Sequence, residues 1–223
     1  MEVTRKGLRH FGIYAVRGYH TLPVIEHYAP TLFINIQFIK LKAAFGIHVI
    51  IKARHYFDLP TFRMVYFSFV LSHLSYCISS WGNTYNTHLS CVRNLQNQAF
   101  RILTFSPYRA SVFNYYRTLN ILPLSLKLNF RFSSTIFKTR NKHVVLSGFE
   151  SSKLFNKNNT RFAEHHNLLL PKIRTNYGKQ TAYFSGLSVW NSLPPEIKAQ
   201  RTIHSFHRSL KTYLFSTLFC STD

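Results

Sequence analysis

The clearest periodic pattern in the chain begins at Asp58, where apolar residues start to recur at helical spacing. Asp58 is a candidate N-cap, Pro60 suits a first helical turn, and Gly82 offers a C-terminal stop. The pattern predicts one long helix over about 58–81. Its apolar positions are Phe62, Val65, Tyr66, Phe69, Val70, Cys77, Ile78 and Trp81.

A second helix is predicted after the turn sequence "GNTYNT", whose Gly and Asn residues tolerate left-handed backbone. Thr87 can cap this helix, which extends to about Thr104. Two helices joined by a tight turn are expected to form an antiparallel hairpin. The apolar face of the second helix consists of Leu89, Val92, Leu95, Ala99, Ile102 and Leu103.

Beyond the hairpin, Ser111 can cap a short third helix that ends near Asn120. The stretch "LSLKLNFRF", residues 124–132, alternates as a strand does, but its apolar residues also fit a helix that continues to Lys138. We favour the helix because the neighbouring elements are helical and the apolar spacing continues past residue 132.

The two ends of the chain are less regular. Residues 1–50 show no sustained period, and Lys40 and Lys42 interrupt their apolar stretch. Residues 139–182 are rich in Lys, Arg and Asn, which indicates either a nucleic-acid-binding arm or a solvated linker. After them, "FSGLSVWNSLPPEIK" predicts a short helix that closes at a double proline. The final helix is amphipathic, with an apolar stripe of Ile203, Phe206, Leu210 and Leu214.

These patterns predict a mainly α-helical protein with four segments. Residues 1–54 are poorly defined, and 55–140 form a helical bundle. Residues 141–182 form a basic, loop-rich part, and 183–223 form a C-terminal helical segment that ends in the amphipathic helix.

Charge narrows the classes of partner. The chain has 28 Lys and Arg against 7 Asp and Glu, a formal net charge of +21. A polyanion, either nucleic acid or an anionic membrane surface, would relieve the self-repulsion, although a basic protein without a ligand fits the charge as well. The residues we select for phosphate contact, with a solvated basic face as the alternative, are Arg93, Arg101, Lys172, Arg174 and Lys179.

Carboxylates are too sparse and scattered to suggest an active site. The aspartates are Asp58 and Asp223, and no two of the glutamates are close in sequence. Two-metal phosphoryl transfer needs acidic side chains gathered around Mg²⁺, and no Gly-rich phosphate loop or nucleophile elbow is present. We therefore predict no catalytic, cofactor-binding or metal-binding residue.

The stretch "SHLSYCISSWGNTYNTHL" gathers residues that could bind a metal. His73, Cys77, His88 and Cys91 could in principle hold Zn²⁺, but their spacing matches no common zinc pattern. A packing role is favoured for them, because free cysteines are among the most buried residues. The tryptophans Trp81 and Trp190 are expected to fill seams between helices, with stacking on a base as the alternative.

A membrane span over 58–81 is disfavoured. Its uncharged core, Met64–Ile78, is shorter than the roughly 20 apolar residues that a span needs. The odd number of cysteines indicates reduced thiols, and the apolar run near the N-terminus is broken at Arg17. We expect a nuclear or cytoplasmic location.

Four sequence blocks in this order resemble the C-terminal part of the polyprotein of LINE-type, jockey-like non-LTR retrotransposons. They are "HYFDLPTFRMVYFSFVLSHLSYCISSWGNTY", "LQNQAFRIL", "GLSVWNSLPPEIK" and "SFHRSLKTYL". The resemblance covers about residues 50–215. It implies the region in and beyond the thumb of a reverse transcriptase, an RNA-directed DNA polymerase that primes on nicked target DNA. Such a thumb is helical and grips the template–primer duplex.

The polymerase motif Tyr-x-Asp-Asp is absent from the chain, so none of the family's catalytic residues can be assigned to it. We therefore expect a truncated remnant of the polymerase that is not an enzyme by itself and that needs no cofactor. Its expected partners are RNA or DNA, bound non-specifically, and the palm of a complete element. The alternatives are a membrane-associated protein that uses helix 58–81 and a fragment without function.

Overall fold

Helices make up every regular element in the part of the chain that the structure, a computed structural model, describes. That part is residues 23–141 and 165–220, with side chains over 34–141 and 165–218. The predicted mainly α-helical fold is therefore confirmed for these ranges. In chain order the elements are α1 (Pro23–Ala53), α2 (Leu59–Tyr66), a π-helical turn (Phe67–Leu71), α3 (Ser72–Ser75), α4 (Ile78–Trp81), α5 (Asn86–Leu103), α6 (Phe113–Thr118), α7 (Leu124–Arg140), α8 (Asn176–Lys179), α9 (Ala182–Asn191), α10 (Pro195–Lys198) and α11 (Ile203–Cys220).

The long helix α1 lies where the sequence showed no sustained period, so the description of residues 23–53 as poorly defined is wrong. One face of α1 is buried, but the opposite face is also apolar, and this hides the helical period. The buried residues are Ile36, Ile39, Ala43, Ile47 and Ile50, and the exposed stripe is Ile34, Phe38, Leu41 and Phe45.

The single helix predicted over 58–81 is only partly correct, because the chain is helical without a gap from Leu59 through the π-helical turn to Ser75 and is then interrupted at Tyr76 and Cys77 before α4. The break between α3 and α4 occurs at Cys77, whose φ of 46° is left-handed. It turns Trp81 into the core, where the indole Nε1 donates a hydrogen bond of 2.8 Å to the carbonyl oxygen of Tyr76. Asp58 takes the predicted N-cap position of α2, but its side chain makes no capping hydrogen bond.

The predicted antiparallel hairpin is confirmed. Tyr66 of α2 packs on Phe100 of α5 with ring centroids 5.3 Å apart, and the Gln96 amide donates to the Tyr66 hydroxyl at 3.4 Å. The start of α2 meets the end of α5, where Phe62 and Leu103 line the same cavity. The helix α5 begins at Asn86, slightly before the predicted cap.

A close backbone contact joins α1 to this hairpin. A Cβ atom at Gly46 would lie 2.5 Å from the carbonyl oxygen of Phe69 in the π-helical turn. Only glycine permits that approach, because real Cβ atoms do not come so near to backbone oxygen. The contact places α1 against the π-helical turn, and α1 also packs along α5.

The third predicted helix is present as α6, inside the predicted bounds. Residues 124–140 form α7, so the helical interpretation of "LSLKLNFRF" is correct and the strand is not. The start of α7 is fixed by Gln96, whose side-chain oxygen accepts a hydrogen bond of 3.1 Å from the backbone N–H of Leu124.

Two hydrophobic clusters form the core, and α7 contributes to both. The first contains buried residues of α1 to α6 together with Leu124, and the second joins Ile136 and Phe137 to α9, α10 and α11. In α11, Phe206, Leu210 and Leu214 are buried, as the amphipathic pattern predicted. The double proline does more than close α9, because Pro195 opens α10.

The basic, loop-rich segment is described only in part. Residues 142–164 lie outside the described residues, as do 1–22 of the N-terminal segment. Residues 167–174 are irregular, and α8 is a single turn. The thumb-like arrangement and the four-segment division stay predictions.

Candidate nucleic-acid interface

The selected residues on α5 lie on one side of that helix. Arg93 is exposed, while Arg101 is partly buried, and its Nε donates a hydrogen bond of 3.0 Å to the carbonyl oxygen of Ala110. The Arg101 guanidinium carbon also lies 5.9 Å from the ring centroid of Tyr108. Burial raises the pKa of Tyr116, and the positive charges of Arg93 and Arg101 oppose that rise.

Lys172, Arg174 and Lys179 are all exposed on the segment that includes α8. The rings of Tyr85 and Tyr177, with centroids 6.3 Å apart, bring this segment to the turn that precedes α5. Arg101, in contrast, is near the other end of α5. The structure thus divides the five predicted residues into two groups rather than one compact cluster.

A cationic cluster that the sequence did not reveal joins α7 to α11. Burial lowers the pKa of Lys127 to about 8, and the charges of Arg131 and Lys211 lower it further. Burial also lowers the pKa of Lys211, with a contribution from Arg63, and the Lys211 ammonium donates a 3.0 Å hydrogen bond to the carbonyl oxygen of Asn120. These ammonium and guanidinium groups repel one another.

A second such cluster surrounds Lys198, which is 2% exposed. Its ammonium donates to the side-chain oxygen of Asn167 at 2.7 Å and to the carbonyl oxygen of Asn191 at 3.0 Å. One terminal nitrogen of Arg140 donates to the Lys198 carbonyl oxygen and the other lies 3.1 Å from His166 Nδ1. Burial lowers the pKa of Lys198 to about 8, and burial with the charges of Arg140 and Lys198 lowers the pKa of His166.

Carboxylates do not balance these cations in the described part. Over residues 34–141 and 165–218 the only Asp and Glu side chains are Asp58 and Glu196, and both are exposed. No group of three or more His, Cys, Asp or Glu in the described residues could hold a metal ion. The described part therefore has many more cationic than anionic side chains.

The cysteines of "SHLSYCISSWGNTYNTHL" do not have the packing role predicted for them. Both Cys77 and Cys91 are exposed free thiols, because Cys77 lies at the break between α3 and α4 and Cys91 is on the outer face of α5. The prediction for the tryptophans is confirmed. Trp81 is 2% and Trp190 is 0% exposed, so neither ring is available to stack on a base.

Among the described helices, the one long and apolar enough to cross a membrane, by length and composition, is α1 over Ile34–Ala53. The segment 58–81, for which a membrane span was disfavoured, does not meet these criteria in the structure. Of the most apolar stretch of this helix, within Ile34–Ala53, 33% is buried inside the protein.

No family model matches the chain, and no curated protein or solved structure is significantly similar to it.

Proposed function

We propose that the chain binds RNA or DNA without sequence preference, as a non-catalytic remnant of the thumb and post-thumb region of a LINE-type reverse transcriptase. The observation that carries the proposal is the set of cationic side chains that lie together without carboxylate partners. A polyanion that neutralises them would release its own counterions, and this release drives non-specific binding to nucleic acid.

The sequence resemblance supports the same proposal. Its four blocks lie in the described helices, the first two in α2 to α5 and the last two in α9 to α11. The sequence has no Tyr-x-Asp-Asp, so the proposed chain does not polymerise by itself. A palm from a complete element is the proposed protein partner, and the proposed location is nuclear or cytoplasmic.

The test is a salt titration of binding to a fluorescent DNA duplex and to an RNA–DNA hybrid. With six or more phosphates neutralised, the affinity should fall by about 10³-fold between 50 and 200 mM salt, with no preference among sequences. Absence of binding at 50 mM salt would contradict the proposal.

Charge-changing variants identify the phosphate contacts. Replacing Lys172, Arg174 and Lys179 with Gln should reduce the slope of log affinity against log salt by about 3, or about 1 for each contact. The matched control exchanges Lys and Arg at the same positions. It keeps the charges and should keep the slope.

A second candidate function is membrane association through α1. The exposed stripe Ile34, Phe38, Leu41 and Phe45 lies beside Lys42, as in helices that bind anionic lipid surfaces. Carbonate extraction of the expressed chain distinguishes the modes, because a spanning helix stays with the membrane pellet and a peripheral protein is released.

A further inference from the structure

The cations that join α7 to α11 lie along one face of each helix. On α7, Lys127, Arg131 and Lys138 follow one another after four and then seven residues, and this spacing puts them on the same helix face. Arg131 is exposed, and Lys127 and Lys138 are partly exposed. The rise of an α-helix makes this line of cations about 16 Å long.

His204 and Lys211 continue the line of cations on α11. They are seven residues apart, again on one helix face, and His204 is exposed while Lys211 is partly exposed. The packing of α11 on α7 is fixed by Phe137 and Phe206, whose rings are stacked with centroids 4.2 Å apart. The Lys211 ammonium is held by its hydrogen bond of 3.0 Å to the carbonyl oxygen of Asn120.

Like charges are crowded around Lys127. Burial lowers its pKa to about 8, and the charges of Arg131 on α7 and Lys211 on α11 lower it further. Arg63 of α2 acts on Lys211 in the same direction, after the larger effect of burial. Among the described residues, the charges that act on Lys127 are positive, so its ammonium form is unfavourable until an anion binds.

The same crowding reaches the far end of α7. Burial lowers the pKa of His207, and the charges of Lys138, His204 and Arg131 lower it further. No carboxylate of the described residues is among the groups that shift the pKa of His207 or Lys127. We refer to these accessible cations as the α7–α11 row, which consists of Arg63, Lys127, Arg131, Lys138, His204 and Lys211.

The surroundings of the α7–α11 row favour nucleic acid over a membrane. A helix that binds at a lipid surface buries an apolar face there. Among the described residues, none of the large apolar side chains that are exposed belongs to α7 or α11. Cations without exposed apolar neighbours fit an extended anion. Duplex DNA has one charge per about 1.7 Å of its axis, so a row about 16 Å long faces several phosphates.

We propose that the α7–α11 row binds the phosphate backbone of RNA or DNA, and that Lys127 takes up a proton from solvent when a phosphate binds beside it. This inference rests on the proposed nucleic-acid binding and adds to it a contact surface and a dependence on pH. The phosphate replaces repulsion with attraction, which stabilises the ammonium form of Lys127. An ordinary lysine, with a pKa of about 10.4, is already protonated below pH 9 and shows no such coupling.

The first experiment measures the affinity of the full chain for a fluorescent DNA duplex at pH 7 and at pH 9, at constant ionic strength. The affinity should fall by about tenfold, because an amine with a pKa of about 8 is only about one-tenth protonated at pH 9. Lys127→Arg keeps its charge at both pH values, so it should keep the affinity at pH 7 and lose most of the fall. The matched control, Lys179→Arg, changes an exposed lysine and should leave the fall as it is.

The second experiment neutralises the α7–α11 row. Replacing Lys127, Arg131 and Lys211 with Gln should reduce the slope of log affinity against log salt by about 3, or about 1 for each contact. Because these charges repel one another, their removal should not lower the thermal midpoint, and a weaker affinity is then not a loss of fold. The matched control removes three charges from α1 and should leave the slope nearly unchanged. Its substitutions are Lys40→Gln, Lys42→Gln and Lys52→Gln.

The outcomes separate the two proposals. An affinity that is equal at pH 7 and pH 9, the same fall in Lys127→Arg, or an unchanged slope in the neutralised variant would overturn the α7–α11 row and leave the proposed function standing. The row would also be overturned if the neutralised variant lost binding to phosphatidylserine vesicles and kept binding to the duplex, because the row would then contact lipid. Absence of binding to DNA duplex and RNA–DNA hybrid at 50 mM salt would overturn both.

Discussion

Lys198 shows how a single residue makes the folded state depend on pH. It is buried with oxygen partners but without a carboxylate, and its pKa is lowered to about 8. The unfolded lysine has a pKa of about 10.4. Between these values the unfolded chain binds more protons than the folded chain, so the free energy of unfolding rises with pH.

We therefore expect the thermal midpoint to rise from pH 8 to pH 10. Lys198→Met should remove at most about half of this rise, because Lys127 and Lys211 also have lowered pKa values and contribute the remainder. Above pH 10 the effect should reverse, because burial raises the pKa of Tyr66 and Tyr116. The control is Lys179→Met, which removes an exposed lysine. An unchanged rise in Lys198→Met would contradict the assignment.

The helix breaks at Cys77, a position where the left-handed backbone would favour glycine. An L-residue in the left-handed region costs about 1–2 kcal/mol, and glycine does not carry this cost. The Cys77 side chain is exposed, so little packing is lost when it is removed.

Cys77→Gly should raise the free energy of unfolding by about 0.5–1 kcal/mol, after the entropic cost of glycine is subtracted. Urea denaturation measures the change. The same substitution at Cys91, exposed within α5, should lower that free energy by about 0.5 kcal/mol through helix propensity. Two variants that change stability in the same direction would show that backbone strain is not the cause.

At the scale of elements, the contact of α1 with the π-helical turn explains why Gly46 lies in the middle of a long helix. Glycine there lowers helix propensity by about 1 kcal/mol relative to alanine. The close approach of the two backbones compensates, because it lets the buried face of α1 reach Val70 and its neighbours.

Gly46→Ala should lower the free energy of unfolding by about 1–2 kcal/mol, because the new Cβ forces the helices apart. Propensity alone predicts the opposite sign. Ala44→Gly, at an exposed site on the same helix, measures the propensity effect separately and should be destabilising by about 1 kcal/mol. Chemical denaturation of both variants gives the comparison, and stabilisation by Gly46→Ala would refute the close contact.

Helices with one apolar face could be predicted from the sequence. A helix that is apolar on two faces and a helix break without glycine could not. The sequences of α5 and α11 have an apolar stripe against polar residues, which is the signal that periodicity detects, whereas in α7 the alternation over 124–132 also fitted a strand. Two opposite faces of α1 are apolar, and the break at Cys77 uses a residue type that seldom adopts left-handed backbone. Neither feature leaves a local signal.

In the candidate interface, the exposure of single residues could be predicted from the sequence, but contacts between distant residues could not. Exposure of Lys172, Arg174 and Lys179 follows from their polar context. Arg140 and Lys198 are 58 residues apart in sequence, and the hydrogen bond between them depends on how α7 packs beside α10. The electrostatic interaction of Lys127 with Lys211 likewise depends on two helices that come together only in the folded chain.

At the scale of the whole molecule, the chain has a net charge of +21, and in the described part Lys and Arg side chains lie on helices of both core clusters. Like charges repel through solvent over about 10 Å at 0.1 M salt, so the folded chain, more compact than the unfolded one, carries the larger repulsion. Salt should weaken this repulsion.

Raising NaCl from 50 to 500 mM should therefore raise the thermal midpoint, by about 2–4 °C for each kcal/mol of repulsion screened. Calorimetry or circular dichroism measures the shift. The variant with Gln at residues 172, 174 and 179 has three fewer charges and should gain less from salt. A midpoint that falls with salt would show that attractive pairs outweigh repulsion.

The two tryptophans of the chain are distributed one to each core cluster, Trp81 in the first and Trp190 in the second. This gives the molecule a built-in pair of fluorescent reporters. A Trp190→Phe protein would emit only from the α1–α5 side, and a Trp81→Phe protein only from the α9–α11 side. Coincident emission changes during unfolding would mean that α7 couples both clusters into one cooperative unit, and separate changes would mean two.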